Sequence, residues 1–275
     1  MPFKVVEGGG KTKWVPASYG SGANTFYIGQ LVTTQNAAAT SFVSNGVVPL
    51  GAAVGAIDTT DKKVPVGVVV GIGIKSPSYD STYKALTVTS VASVAAQAAL
   101  SPLHVGSFPK YDGRVFLEIE PINAETIIQG TLYQSTFGTA LSARTATAVN
   151  ATAGLGFTTA TVGITPTANM HSWYCRSGAN KGLTRAAYDA SATAHTFYTY
   201  WPKTLAIGDV FTFAPFKEYG PCYMQIDAAG MFVDGLGDYA TNYYGIFIER
   251  LNLSKVGQET IDFRFNSDHF GLVRA

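Results

Sequence analysis

The arrangement of short apolar runs between turn residues constrains this chain more than any other feature. Stretches rich in Val, Ile, Thr, Tyr and Phe alternate with clusters of Gly, Pro, Asn and Ser, as expected of strands joined by turns. Several runs have a period of two. From Arg114 to Glu120, Val115, Leu117 and Ile119 share one face, opposite Arg114, Phe116, Glu118 and Glu120. Ile261, Phe263 and Phe265 likewise oppose Asp262 and Arg264. Strands are predicted at Thr25–Thr33, Val64–Ile74, Leu86–Val91, Arg114–Glu120, Thr131–Ser135, His195–Trp201, Val210–Phe213, Tyr223–Ile226, Gly245–Leu253 and Thr260–Phe265, and Met170–Cys175 also reads as a strand. A helical signal is confined to Ser90–Leu100, which is alanine-rich and stops before Pro102.

These signals predict an all-β protein with few helices. An N-terminal arm over residues 1–16 precedes a small barrel-like part over residues 17–80, and a larger antiparallel β-sandwich part follows over residues 81–275. The boundary is expected near residues 76–84, where Ser76-Pro-Ser-Tyr-Asp-Ser-Thr82 lowers the apolar density. One phrase recurs: Tyr27-Ile-Gly-Gln-Leu-Val32, Ile127-Ile-Gln-Gly-Thr-Leu-Tyr133 and Leu205-Ala-Ile-Gly-Asp-Val-Phe211. In each, Gly is read as a tight turn feeding a strand.

Charge is scarce. No Asp, Glu, Lys or Arg occurs from Trp14 to Ile57, and Arg144 is the only charge from Thr126 to Met170. Charged residues make up 13% of the chain, against about 25% in ordinary soluble domains. Charge keeps exposed surface hydrated and opposes association, so neutral surface rich in Thr, Ser, Ala and Tyr suits contact with another subunit. With a net charge of +1 and scattered Lys and Arg, no nucleic-acid footprint is present. Cys175 and Cys222 are too few for a disulfide framework. Two buried free thiols are expected, with a single bridge as the alternative. The first residues lack a signal-peptide core, and Val64–Ile74 and Ala85–Leu100 are too short to span a bilayer. A soluble protein made in the cytosol, without membrane contact, is expected.

The residues that could carry chemistry do not assemble into a recognisable set. The histidines are His104, His171, His195 and His269. His171 and Cys175 lie on one face of a strand, two pleats apart, and a zinc site there would need further ligands from Cys222 or the distant histidines. Asp227, Asp234 and Asp238 lie in a Gly-rich segment but lack the alternating ligands of a calcium loop, so they are read as turn and capping residues. Gly67, Gly71 and Gly73 sit inside a strand run, and Gly8-Gly9-Gly10-Lys11-Thr12 precedes no helix. Neither meets the requirements of a phosphate loop; the latter reads as a flexible joint. Glu118 and Glu120 share a solvated strand face, and Ser177-Gly178 lies in a turn with no partnering base. No enzyme activity, cofactor or metal is expected.

Aromatics crowd the last third of the chain, from Tyr174 to Tyr219 and from Tyr239 to Phe270. They serve as core, as interface anchors or as a glycan platform. Phe3, Trp14, Tyr19, Phe26, Tyr27 and Trp201 are the candidate interface residues, and the Met1–Pro16 arm is the first candidate for gripping a partner.

The segment Tyr174-Cys-Arg-Ser-Gly-Ala-Asn-Lys-Gly-Leu-Thr-Arg185, running on to Phe197, leads into Trp201-Pro202 and Ile207-Gly-Asp-Val-Phe211. Together with the ending Ile261-Asp-Phe-Arg-Phe-Asn-Ser-Asp-His-Phe-Gly271, it resembles structural proteins of tailed-phage heads. Tyr27-x-Gly-x-Leu-Val32 and Val64-Pro-Val-Gly-Val-Val-Val-Gly71 are similar in style to β-rich head-decoration, or cement, proteins. The resemblance covers about half the chain and implies a non-enzymatic virion protein. Such a protein binds the major capsid protein on the capsid exterior and forms a homo-oligomer, with a trimer favoured. It has no cofactor and no direct nucleic-acid contact. The chain is longer than a minimal decoration protein, and it lacks the long helix and extended arm of a tailed-phage major capsid protein. A tail, fibre or glycan-binding virion component is the alternative. In all these readings Gly178, Asn180 and Gly182 are expected to supply positive φ.

Overall fold

The computed structural model describes residues 2–17, 24–34, 47–50, 65–73, 85–88, 116–133, 137, 141–150, 155–160, 162, 168–189, 191–227, 230–236 and 244–267. In chain order the strands are β1 (Phe3–Glu7), β2 (Lys13–Pro16), β3 (Asn24–Tyr27), β4 (Leu31–Thr34), β5 (Val47–Pro49), β6 (Pro65–Gly73), β7 (Ala85–Val88), β8 (Phe116–Pro121), β9 (Ile127–Thr131) and β10 (Ala143–Thr145). They continue with β11 (Ala148–Val149), β12 (Gly156–Thr158), β13 (His171–Cys175), β14 (Thr184–Ala187), β15 (Ala194–Thr196), β16 (Val210–Ala214), β17 (Gly220–Ile226), β18 (Val233–Leu236), β19 (Tyr244–Asn252) and β20 (Thr260–Phe265).

Among the described residues these strands form sheets of six (β1-β9-β20-β19-β17-β18), five (β2-β8-β6-β4-β5), four (β10-β16-β13-β14), three (β11-β12-β15) and two strands (β3-β7). The named strands pair antiparallel throughout, as in the central β19–β20 and β6–β8 ladders. The fold is all-β and sandwich-like. The barrel-like form expected for the N-terminal part is not found, because its strands lie in sheets that stay open among the described residues.

Packing explains which strands alternate in sequence and which do not. The central core collects Phe3, Ile128, Ile246, Ile261 and Phe263 from the six-stranded sheet. At β4 and β6 the five-stranded sheet is covered on both faces: Leu31 and Val68 enter the central core, while their neighbours Val32 and Val69 enter another with Ile72 and Leu117. A strand buried on both faces has no solvated side to mark with polar residues, which is why β6 reads as a continuous apolar run. The four-stranded sheet is buried in the same way. Phe211 and Phe213 of β16 face a core built with Phe157, Trp173 and Phe197, whereas Ala214 faces the central core.

Several expectations are corrected by strand pairing. Residues 1–16 are not a free arm. Phe3 of β1 pairs opposite Gly130 of β9, and β2 pairs with β8. The glycines between them carry the chain from one sheet to another, with Gly8 at φ 75° and the Gly10 N–H donating to Pro121 O at 3.2 Å. A unit ending near residue 80 would lack β8, the strand between β2 and β6. The strand expected at Thr131–Ser135 lies earlier, as β9, because Gly130 is not a turn. It lies within the strand under the Phe3 ring, where a Cβ would come 2.6 Å from Phe3 Cε1. Gly29 and Gly208 do turn, at φ 83° and 95°. The Ser90–Leu100 helix and the Ser76–Thr82 linker lie outside the described residues. No helix among the described residues is long and apolar enough to cross a membrane.

Candidate functional site

The most chemically distinctive cluster is built where the four-stranded and three-stranded sheets meet. β13 and β14 form a hairpin in which His171 lies opposite Ala187. Gly178 and Gly182 shape its turn at φ 78° and 91°. Asn180, expected to share that backbone, instead uses its buried side chain. Its Nδ2 donates to Lys203 O at 2.8 Å, and its Oδ1 accepts the Lys203 N–H at 2.9 Å.

After β14 the chain turns and returns as β15. Ser191 Oγ accepts the N–H groups of Thr193 and Ala194. Asp189 Oδ1 accepts the Ser191 N–H at 3.2 Å, and Oδ2 accepts the Thr196 N–H at 2.6 Å. These side chain-to-backbone bonds are what Asp and Ser contribute in turns. They aim the Asp189 carboxylate at β15, where His195 is held opposite Phe157 of β12.

The result is a compact set: His171, Asp189 and His195 each offer a ligand atom within 4.8 Å of the others. Asp189 Oδ1 lies 3.8 Å from His171 Nε2 and 3.7 Å from His195 Nδ1. Both imidazoles are buried, and aromatic walls surround them. Trp173 lies 4.2 Å and Phe157 5.6 Å from the His195 ring, and Phe213 lies 5.6 Å from His171. Burial pushes the Asp189 carboxyl up. The His195 imidazole, the Thr196 N–H and the charge of both histidines more than offset this, so its pKa lies below the ordinary carboxylate value.

The hydrogen bonds of Thr159 assign the His195 tautomer. The hydroxyl donates its one proton to Ala160 O at 2.8 Å, since a carbonyl can only accept. The contact of Thr159 Oγ1 with His195 Nε2, at 3.2 Å, is therefore donated by the ring. In neutral His195 the lone pair is on Nδ1, facing Asp189. The order Thr159–His195–Asp189 matches the connectivity of a nucleophile–base–acid triad. Yet the Thr159 proton is committed to a carbonyl and its hydroxyl is buried, so it is not a competent nucleophile.

The sequence pointed to His171 but paired it with Cys175, which is not part of this set. Cys175 Sγ instead donates to Ser177 O at 2.9 Å. Cys175 and Cys222 are both free thiols, and burial pushes each up to about 11. Asp227 acts as a capping turn residue, accepting the N–H groups of Met231 and Phe232.

Among the candidate interface residues, Phe3, Phe26 and Trp201 are core residues, 1%, 0% and 3% exposed. Phe3 packs edge-on to Phe263, and Trp201 packs edge-on to Phe197 and Phe211. Neither Phe3 nor Trp201 can anchor a partner without leaving its core. Trp14 and Tyr27 are half-buried, and Tyr19 lies outside the described residues. Among the described residues, the aromatics that do reach the surface are Tyr133, Tyr188, Tyr198, Tyr200 and Tyr219. No known protein family, curated protein or solved structure matches this chain.

Proposed function

We propose that this is a structural virion protein that binds the exterior of a tailed-phage capsid and stabilises contacts between capsomers. One observation carries the reading: two consecutive strands at sheet edges expose almost no charge. β10 and β11 each pair on one side only among the described residues. Ala143, Thr145, Thr147 and Ala148 are exposed between and along them, with Arg144 the single, half-buried charge. Soluble proteins commonly protect such edges with charge or Pro. A neutral edge of small side chains offers backbone hydrogen bonds to a partner strand at little desolvation cost.

On this reading the protein acts by contact and performs no reaction. Its partners are the major capsid protein and further copies of itself, with a trimer favoured. Many weak contacts repeated over a symmetric shell give avidity. The test is co-sedimentation with empty capsids, together with light scattering across a dilution series. Ala143→Lys with Ala148→Lys should weaken capsid binding at least tenfold while leaving the melting temperature unchanged. Equal binding by the wild type and the double variant, or no binding by either, would sink the reading.

A second reading, a tail, fibre or glycan-binding virion component, is favoured by a different observation. The rings of Tyr188 and Tyr198 lie 5.5 Å apart and are 45% and 57% exposed, with Tyr200 at 59%. Exposed aromatic faces of this kind can stack on sugar rings. Glycan-array binding lost in Tyr188→Ala, without capsid binding, would select it.

A further inference from the structure

We propose that His171, Asp189 and His195 bind one divalent transition-metal ion of the zinc class, through Nε2, Oδ1 and Nδ1 respectively. Thr159 receives the Nε2 proton of His195, so neutral His195 turns a lone pair toward Asp189 Oδ1. Nδ1 is buried and makes no hydrogen bond. Two electron-pair donors facing each other in an aromatic-walled site need a cation between them. A proton on Nδ1 would offset the Asp189 charge but leave its N–H without a hydrogen bond, since the atoms stand 3.7 Å apart and hydrogen-bond range is about 2.7–3.2 Å; a bound cation satisfies both atoms.

Zinc bonds to imidazole nitrogen and carboxylate oxygen are about 2.0–2.2 Å, which separates neighbouring ligand atoms of a tetrahedral ion by about 3.3–3.6 Å. The Asp189 contacts, 3.7 and 3.8 Å, lie just beyond that separation, and the three residues each offer a ligand atom within 4.8 Å of the others, so an ion would draw the set together. Imidazole and carboxylate are suitable donors for this ion, and three protein ligands leave one position for water.

Thr159 orients His195, and the N–H groups of Ser191 and Thr196 orient Asp189. This is the outer shell that metal ligands require. The ion would join β13 of the four-stranded sheet to β15 of the three-stranded sheet across the Trp173 core. It therefore acts as a staple, and it does not depend on the proposed capsid role.

The test uses tag-free full-length protein, stripped with chelator and titrated with zinc and with cobalt. One equivalent should bind, with cobalt giving visible d–d absorption. Free zinc about 100-fold above the dissociation constant should raise the melting temperature by about 5 °C. Asp189→Asn and His195→Gln should lose both effects, whereas Cys175→Ser should keep them. Folded wild-type protein that takes up neither ion, with a melting temperature indifferent to zinc and chelator, overturns the proposal even if the variants do not fold. So does Asp189→Asn protein that folds and binds zinc as tightly as the wild type.

Discussion

Two glycines in one turn offer a controlled test of how the β13–β14 hairpin is held. Gly178 and Gly182 both have positive φ, 78° and 91°, so alanine at either must take a left-handed backbone at a cost of about 1–2 kcal/mol. Their surroundings differ. A Cβ on Gly182 meets nothing within 4 Å, whereas one on Gly178 would lie 2.0 Å from Asp209 Oδ1 and 2.6 Å from its Cγ. Asp209 cannot move away without loss: it is 6% exposed, and its Oδ2 accepts the Ala206 N–H at 2.9 Å. Breaking that bond at a buried site adds about 1–3 kcal/mol. Gly182→Ala should therefore cost about 1–2 kcal/mol, and Gly178→Ala at least about 1 kcal/mol more. Urea unfolding followed by tryptophan fluorescence measures both, because Trp173 and Trp201 are buried. A shared slope lets the midpoints be compared directly. Adding Asp209→Ala should make Gly178→Ala less damaging, a coupling that a double-mutant cycle isolates. Equal midpoints for the two glycine variants, or no coupling to Asp209, would refute the steric argument.

Phe157 stacks on Phe211 at 4.1 Å and meets Trp173 edge-on at 5.2 Å; Phe157→Ala should cost about 3–5 kcal/mol in urea unfolding. Asn180→Ala removes two bonds to the Lys203 backbone and should cost about 1–3 kcal/mol by the same assay. Burial raises the Cys175 and Cys222 thiols from 9.0 to about 11. A group with its folded pKa above its unfolded value favours the fold fully below the unfolded value and loses that contribution as pH rises through the folded one. The melting temperature should therefore fall between pH 9.0 and about 11, less so in the Cys175→Ala, Cys222→Ala variant. Thiol labelling at about pH 8, below the ordinary thiol value, should be slow until denaturant is added.

Much of the fold was legible, unevenly and for physical reasons. β8 and β20 were readable because Leu117, Ile119, Ile261 and Phe263 are buried between more exposed neighbours at several positions. β6 was readable by composition alone, since both its faces are covered. The expected arm was misread because nothing within Phe3–Glu7 indicates that its partner is β9, more than a hundred residues away. The candidate interface aromatics failed for the same reason: Phe3 and Trp201 look like anchors in sequence, and only packing makes them core. The His171–Asp189–His195 set left one trace that could have been followed. Asp189, Ser191 and Thr193 spell a tight turn that returns the chain at His195. Nothing local says that this hairpin closes beside His171.

By themselves, the residues determined an all-β chain with Gly-shaped turns and little charge. Those properties depend on side-chain period, backbone freedom and composition over a few neighbouring positions. The tertiary structure alone decided which strands share a sheet, which aromatics are buried and which polar atoms face one another across the Trp173 core. These depend on antiparallel pairings between distant segments, and each pairing is selected by the whole set of cores that it helps to close.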